Sequence, residues 1–299
     1  MEPPDYAALI DAETWGFIRA TDAWYPPDAI ARSVAEQRAV YDAMCRGFFQ
    51  GYPPGVVARD CLLAGVPVRR YHGTGGRVLY LHGGGFVVGG LHSHDDVCAE
   101  LCHQTGFEVV AADYRLAPEH RHPAAYADAL AVAKALLAEG GALVLMGDSA
   151  GANLAAAVAL TLRGLVQGQV LIYPGLGGDM AAGSYLTHAD APMLTTRDVI
   201  YYRDIRGEVP GDWRAAPLAA VDFRGVAPAL VISAECDPLC DDGRAYVARI
   251  VAAGGRARWV MEPGLVHGYL RARSTVARAR ASFERIVGGV SRLMAGGDP

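Results

Sequence analysis

Short apolar segments alternate with helical segments along most of the chain, and this alternation constrains the fold more than any other feature. The apolar segments lie at 78–81, 109–112, 143–146, 170–173, 230–233 and 257–261. The helical segments lie at about 95–105, 124–139, 150–163, 243–253 and 275–294. Apolar strands that alternate with helices build a parallel sheet with helices on both faces. We therefore expect an α/β fold with a mostly parallel central sheet.

Two stretches depart from this alternation. Residues 5–20 and 28–50 have a helical pattern and many aromatic side chains. Two β-like segments follow them, at 56–63 and 66–71, and we expect these to form a β-hairpin. No strand signal occurs between Pro174 and Pro228. This gap indicates an insertion over the carboxyl edge of the sheet.

Composition excludes several classes of protein. Of the 299 residues, 52% are hydrophobic and 20% are charged, which is typical of a globular chain. The net charge is −5 and the basic residues do not cluster, so nucleic acid is not an expected partner. The acidic N-terminus does not fit a signal peptide, and no apolar run approaches the length of a membrane span. We expect a soluble, cytoplasmic protein with reduced cysteines and no membrane partner.

The strongest chemical signal is Gly147-Asp148-Ser149-Ala150-Gly151, which stands between an apolar segment and a helical segment. Glycine on both sides of a serine permits the strained strand-to-helix turn that exposes a nucleophilic hydroxyl. The turn also places this hydroxyl at a helix N-terminus, where the helix dipole favours developing negative charge. A serine that only caps the helix is the alternative interpretation.

A second signal, His82-Gly83-Gly84-Gly85-Phe86, directly follows the apolar segment at 77–81. Consecutive glycines let the backbone approach a ligand and present N–H groups to it. Acyl transfer requires such donors because the attacked carbonyl oxygen becomes an oxyanion. A glycine-rich turn without a chemical role is the alternative, and the order of the two motifs argues against it.

A nucleophilic serine needs a base, and the base needs an acid that orients it. His267 follows the last strand, and Asp237 follows the strand at 229–234. Asp241 and Asp242 compete with Asp237 for the role of the acid, although we expect them to begin and cap the next helix. Ser149, Asp237 and His267 occur in the order that accompanies this serine motif.

The chain resembles the bacterial hormone-sensitive-lipase-like carboxylesterases, also called family IV, of the α/β-hydrolase superfamily. The matching motifs are HGGGF at 82–86, DYRLAPEHRHPAA at 113–125, GDSAG at 147–151, DPL at 237–239 and HGY at 267–269. The resemblance covers nearly all of the chain after residue 75. It implies an α/β-hydrolase fold, a mostly parallel sheet with helices on both faces and a helical cap.

The resemblance also implies a division of the chain and an oxyanion hole. Residues 1–50 match an N-terminal cap region and 175–215 match a cap insertion, which leaves 51–174 and 216–299 as the catalytic domain. The oxyanion hole is expected from backbone N–H groups of Gly83, Gly84, Gly85 and Ala150.

Two groups of residues that include cysteines raise further questions. Cys236 and Cys240 flank Asp237 and depart from what we expect of the family, which leaves the thiol sensitivity of this loop open. A second set resembles metal ligands, although hydrolysis by a serine needs no metal and we expect none to be bound. This set consists of His92, His94, Cys98 and Cys102.

We predict a serine carboxylesterase whose substrates are small-molecule esters with short- to medium-length acyl chains. The reaction is expected to pass through an acyl-enzyme intermediate and to need no cofactor. An amidase or deacylase with the same three residues is the nearer alternative, and a non-catalytic protein that binds small ligands is the more distant one. The substrate pocket is expected to be aromatic, lined by Trp15, Trp24, Phe48, Phe49, Tyr201 and Tyr202. The oligomeric state stays open, with a homodimer through a sheet edge near the C-terminus as one alternative.

Overall fold

A computed structural model describes residues 4–26 and 31–299 of the chain. Its central sheet has eight strands within these residues, in the order β1-β2-β4-β3-β5-β6-β7-β8. The strands are β1 Ala58–Leu63, β2 Val66–Tyr71, β3 Arg77–Leu81, β4 Glu108–Ala112, β5 Leu143–Asp148, β6 Gly168–Ile172, β7 Ala229–Cys236 and β8 Ala257–Val266. β2 pairs antiparallel with β1 and β4, and the other pairings are parallel. The expected α/β fold with a mostly parallel sheet is confirmed.

Helices cover both faces of the sheet. They are α1 Tyr6–Leu9, α2 Ala12–Asp22, α3 Val34–Phe48, α4 Asp95–Thr105, α5 Ala124–Ala138, α6 Ala150–Thr161, α7 Ser184–Thr187, α8 Thr196–Arg206, α9 Cys240–Ala252 and α10 Ala277–Met294. Successive strand residues point to opposite faces. In β3, Leu79 and Leu81 therefore pack with α5 and α6, whereas Val78 and Tyr80 pack with α4 and α10. This two-sided burial explains the short, continuous apolar segments of the sequence.

The structure refines the expectations for the N-terminal part. The predicted helix at 5–20 is two helices, because Asp11 accepts a hydrogen bond from the Thr14 N–H and starts α2. The predicted helix at 28–50 is observed as α3, and residues 28–30 lie outside the described residues. The hairpin of β1 and β2 is confirmed.

The stretch between β6 and β7 has no strand, as expected, and carries α7 and α8 instead. It contacts the start of α9 through two buried or half-buried carboxylates. The Asp242 carboxylate accepts hydrogen bonds from the Leu176 N–H at 2.6 Å and the Tyr185 hydroxyl at 3.1 Å. The Asp241 carboxylate accepts one from the Ser184 N–H at 2.9 Å. The two residues thus lie in the first turn of α9 but do not cap it, because their acceptors are used by the insertion.

From the burial of the Asp242 carboxyl we predict that the free energy of unfolding depends on pH. Burial raises its pKa to about 6, so the folded protein holds this proton more tightly than the unfolded chain does. The resulting stability is fully present below about pH 4 and is lost as the pH rises through about 6. Asp242→Asn cannot ionise and keeps one acceptor oxygen. Between pH 4 and pH 8 we expect the free energy of unfolding of this variant to gain up to about 3 kcal/mol relative to the wild type, measured by chemical denaturation.

Asp241→Asn is the matched control for this prediction. Its side chain also contacts the insertion, but it is far more exposed than that of Asp242. The same pH dependence for both variants would show that the effect does not come from the buried Asp242 carboxyl.

Candidate active site

The backbone at Ser149 forms a strained turn between β5 and α6. Its φ of +52° and ψ of −118° place a serine in a region that side chains rarely adopt. A Cβ atom at Gly151 would collide with the Leu81 carbonyl at the end of β3, and one at Gly147 would lie 2.6 Å from the same oxygen. Both glycines are therefore required by close backbone approach. The Ser149 side chain makes no capping hydrogen bond, which argues against the interpretation as a simple helix cap.

Three side chains from three strand ends meet at this turn. His267 Nε2 lies 2.9 Å from Ser149 Oγ, and His267 Nδ1 lies 2.7 Å from Asp237 Oδ2. Asp237 is fully buried, and its other carboxylate oxygen accepts a hydrogen bond from the Leu239 N–H at 2.9 Å. With Nδ1–H donating to Asp237, Nε2 is free to accept the Ser149 proton. The geometry brings together the three residues that the sequence order selected, and it leaves Asp241 and Asp242 bound to the insertion.

The two cysteines beside Asp237 are buried and free. Burial, reinforced by nearby carboxylates, raises the pKa of both the Cys236 and the Cys240 thiols to about 12. The thiols therefore stay protonated at neutral pH, and thiolates are the reactive form of cysteine. This environment makes both poor targets for thiol reagents in the folded protein.

The glycine loop after β3 provides two amides next to Ser149. Gly84 and Gly85 have φ of +125° and +59°, and they border the same cavity as Ser149, Ala150 and His267. Among the described residues, no acceptor is hydrogen-bonded to the N–H groups of Gly84, Gly85 or Ala150. These three amides are the donors that remain for an oxyanion.

Gly83 differs from its two neighbours, and here the expectation was wrong. Its N–H donates to Asp148 Oδ1 at 3.0 Å and is therefore already used. A side chain at Gly83 would also collide with the Asp148 carboxylate, so glycine is required there by packing and not by oxyanion binding.

Asp148, the residue before the serine, holds the glycine loop in place. Besides Gly83, its buried carboxylate accepts a hydrogen bond from the Tyr80 hydroxyl at 2.8 Å and faces His94 Nε2 at 3.2 Å. Burial alone raises the pKa of Asp148, but His94 and Tyr80 outweigh it and hold the pKa well below its usual range. The ionised carboxylate thus joins the turn at Ser149 to the glycine loop. Sequence reasoning passed over this residue, although it stands inside the serine motif.

Three of the four metal-like residues have separate partners. His94 faces Asp148, His92 Nε2 lies 2.7 Å from an Asp42 carboxylate oxygen, and the Cys102 thiol donates to the His72 carbonyl at 3.3 Å. Over residues 4–26 and 31–299, no three histidine, cysteine or acidic side chains converge on a point that could hold a metal ion.

A cavity of about 940 Å³ opens above the three residues. Of the six aromatic residues expected to line it, Tyr201 and Tyr202 from α8 do so. The further lining was not expected from the sequence and comes mainly from α3, the insertion and the loops after β7 and β8. It includes Tyr41, Met44, Tyr185, Leu194, Arg206, Leu239 and Arg271. On α3 the lining positions Gln37, Tyr41 and Met44 follow helical spacing, a pattern that could have been read as a cavity face.

The other four aromatic residues do not line the cavity, and the expectation for them is corrected. Phe48, at the end of α3, packs edge-on against Phe17, and Trp15 joins the same apolar cluster. Trp24 covers Gly47 and is 43% exposed, while Phe49 packs against a neighbouring tyrosine and is 44% exposed. These residues stabilise the N-terminal helices instead of contacting a ligand.

No helix in the described part of the chain is long and apolar enough to cross a membrane.

Comparison with known proteins agrees with the fold. The family described as "alpha/beta hydrolase fold" matches residues 78–271. The chain is 35% identical to "Carboxylesterase NlhH" of Mycobacterium tuberculosis, over 90% of this chain and 86% of that protein. It is also 35% identical to "Ethyl acetate hydrolase" of Pseudomonas putida, over 74% of this chain and 77% of that protein.

Solved structures extend the similarity to nearly the whole chain. An esterase from the bacterial hormone-sensitive lipase family superimposes with a TM-score of 0.86 at 26% identity, covering 95% of this chain and 99% of that one. An esterase of Pyrobaculum calidifontis gives a TM-score of 0.84 at 29% identity, covering 94% and 98%. The chain therefore belongs to the α/β-hydrolase family, in the group of the bacterial hormone-sensitive-lipase-like esterases.

Proposed function

We propose that the protein is a carboxylic ester hydrolase in which Ser149 is the nucleophile, His267 the general base and Asp237 the orienting acid. The observation that carries this proposal is the hydrogen-bonded chain from Ser149 Oγ through His267 to Asp237, with distances of 2.9 Å and 2.7 Å. Esters are supported as the substrate class by relatives named carboxylesterase, acetyl esterase and ethyl acetate hydrolase.

The reaction follows from this geometry in two halves. Ser149 Oγ attacks the acyl carbon while His267 Nε2 takes the hydroxyl proton, and the carbonyl oxygen becomes an oxyanion. The N–H groups of Gly84, Gly85 and Ala150 stabilise this oxyanion. The C–O bond to the alcohol then breaks, and His267 returns the proton to the leaving alcohol. Water attacks the acyl-enzyme, gives a proton to His267, and the acid is released as the proton returns to Ser149.

The environment of His267 supports its role as a base. The Tyr173 ring lies 4.8 Å from the imidazole, and the Asp237 carboxylate stabilises the imidazolium that forms during attack. Because Asp237 is held by the Leu239 amide in a buried site, it cannot turn away from His267. The base therefore needs little reorganisation during the reaction.

The cavity supports acyl chains of short to medium length. Its apolar side is built by Tyr185 and Leu194 of the insertion and by Leu239 after β7, which pack on one another. A chain gains about 0.8 kcal/mol for each methylene buried until it meets this wall.

The proposal also covers the cofactor requirement, the location of the protein and its oligomeric state. The reaction needs no cofactor, and the protein works in the cytoplasm. A homodimer, one alternative for the oligomeric state, would pair through β8, one of the two edge strands of the described sheet. An amidase or deacylase would use the same three residues, and competition between an ester and the matching anilide separates the two activities.

Removal of the nucleophile or the base should abolish most of the activity. Because the three residues act as a unit, we expect Ser149→Ala and His267→Ala each to lower kcat for a p-nitrophenyl ester by about 10⁴–10⁶-fold. The melting temperature and the circular dichroism spectrum report whether the fold is retained.

The acid is tested separately. Asp237→Asn should lower kcat strongly, because an amide cannot orient and stabilise the imidazolium as a carboxylate does. Asp241→Asn is the matched control, since that carboxylate faces the insertion and not His267. Nearly full activity in Asp237→Asn together with loss in Asp241→Asn would refute the assignment of the acid.

The preferred chain length is tested with p-nitrophenyl esters from acetate to palmitate. We expect kcat/KM to peak between the acetyl and octanoyl esters and to fall steeply by dodecanoyl, without activation at an oil–water interface. A maximum at palmitate, or a jump in rate above the solubility limit, would identify a true lipase and contradict a cavity that limits the acyl chain to medium length.

A further inference from the structure

We propose that Arg271 binds a carboxylate carried by the substrate, so that the enzyme prefers esters that bear a negative charge. This inference rests on the proposed function, because it assigns a substrate class to the same cavity. Arg271 lies four residues after His267 and borders the cavity that contains Ser149 and His267.

The guanidinium of Arg271 has only neutral partners. It donates to the Ser93 carbonyl at 2.9 Å and to the Tyr41 hydroxyl at 2.8 Å, and it lies 5.1 Å from the centre of the Tyr41 ring. It also contacts the Cys45 thiol. No carboxylate of the described residues lies within 4 Å of it, although the Asp148 carboxylate is near enough to interact with its charge. A guanidinium has five N–H donors, and the two oxygen acceptors and the thiol leave donors for a ligand.

The next arginine along the chain does have carboxylate partners. Arg273, two residues further along, is paired with Asp96 at 2.8 Å and with Glu100 at 2.7 Å. Removing an arginine from water without a counter-charge costs free energy. An arginine that borders a cavity and has no carboxylate in direct contact is therefore placed to bind one from a ligand.

Two further charged residues that border the cavity, Arg197 and Asp22, are exposed to solvent, and others are already bound to the protein. Arg203 pairs with Glu208 at 2.9 Å, and Asp148 is held by Tyr80 and His94. Arg206 also lacks a carboxylate partner, but it is tied to the scaffold. It donates to the Ala215 carbonyl and to the Asn153 side chain, and it lies flat over Phe86 at 3.6 Å. Arg271 is thus better placed than Arg206 to bind an incoming anion.

The planar fork of arginine matches a carboxylate, which can accept two parallel hydrogen bonds. Within an ester substrate this carboxylate can stand on either side of the scissile bond. It can end the acyl chain, as in a half-ester of a dicarboxylic acid, or it can belong to the alcohol, as in an acylated hydroxy acid. A neutral ester would leave Arg271 without a carboxylate in direct contact, so the site discriminates between the two classes.

The test compares charged and neutral esters of similar length by titration of the released acid. The acyl arm uses monoethyl adipate against ethyl hexanoate, and the alcohol arm uses butanoyl glycolate against propyl butanoate. For each arm we define a charge preference, which is kcat/KM for the charged ester divided by kcat/KM for the neutral ester. In one arm we expect Arg271→Met to lower this ratio by about 10- to 100-fold. That arm identifies the side on which the carboxylate binds.

Two further variants control this test. Arg271→Lys keeps the charge but not the planar fork, so its ratio should lie between those of the wild type and Arg271→Met. Arg249→Met removes an arginine with a similar environment, two backbone carbonyls and an aromatic ring at 4.7 Å, but outside the cavity lining. Its ratio should equal that of the wild type. An unchanged ratio in Arg271→Met in both arms, or an equal fall in Arg249→Met, overturns the proposal.

Binding separates this proposal from the proposed hydrolysis. In a Ser149→Ala background, calorimetry should show that the charged ester of the active arm binds at least about 10-fold more tightly than its neutral partner, and that Arg271→Met removes the difference. If the wild type hydrolyses no ester but this difference is present, the hydrolase proposal fails and the anion site stands. If esters are hydrolysed and no difference is present, the anion site fails alone.

Discussion

The close approach between the start of α6 and the end of β3 is the constraint on which the site depends. At this contact Gly151 leaves no room for a side chain beside the Leu81 carbonyl. The approach forces the chain to turn within one residue, and Ser149 takes the left-handed φ that this turn needs. Strain of this kind persists only where the surrounding structure enforces it, and here β5 and α6 are buried on all sides. The serine hydroxyl is exposed to the cavity because the backbone has no other way to continue.

The residues around this turn form one connected unit. Asp148 precedes the serine and binds the amide of Gly83, which begins the glycine loop. The same carboxylate reaches His94 at the start of α4, so one buried charge helps to set the positions of both the glycine loop and the Ser149 turn. A buried carboxylate with several donors is a strong restraint, because loss of any partner leaves charge unsatisfied. His267, which is held by Asp237, contacts Ser149 and completes this unit.

Much of the fold and the core of the site could be predicted from the sequence, for reasons that are physical. Strands buried on both faces must be continuously apolar, so β3 to β7 stood out, and glycines in a strained turn or loop mark where the backbone is crowded. It was harder to predict which of two similar residues contributes to the site. Gly83 and Gly84 look alike in sequence, yet only the fold shows that Asp148 occupies the amide of Gly83. Similarly, Trp15 and Tyr41 are both aromatic residues on N-terminal helices, and only packing decides that Tyr41 faces the cavity.

The central claim is that Ser149 is activated as a nucleophile by its contact with His267. Reaction with a fluorophosphonate tests it directly, because this reagent forms a covalent bond only with an activated serine and needs no knowledge of the substrate. Intact-mass measurement of the wild type should show one adduct per chain, and peptide mapping should locate it at Ser149, with labelling strongly slowed in His267→Ala. An unlabelled but folded protein, or an adduct at a different residue, would contradict the account.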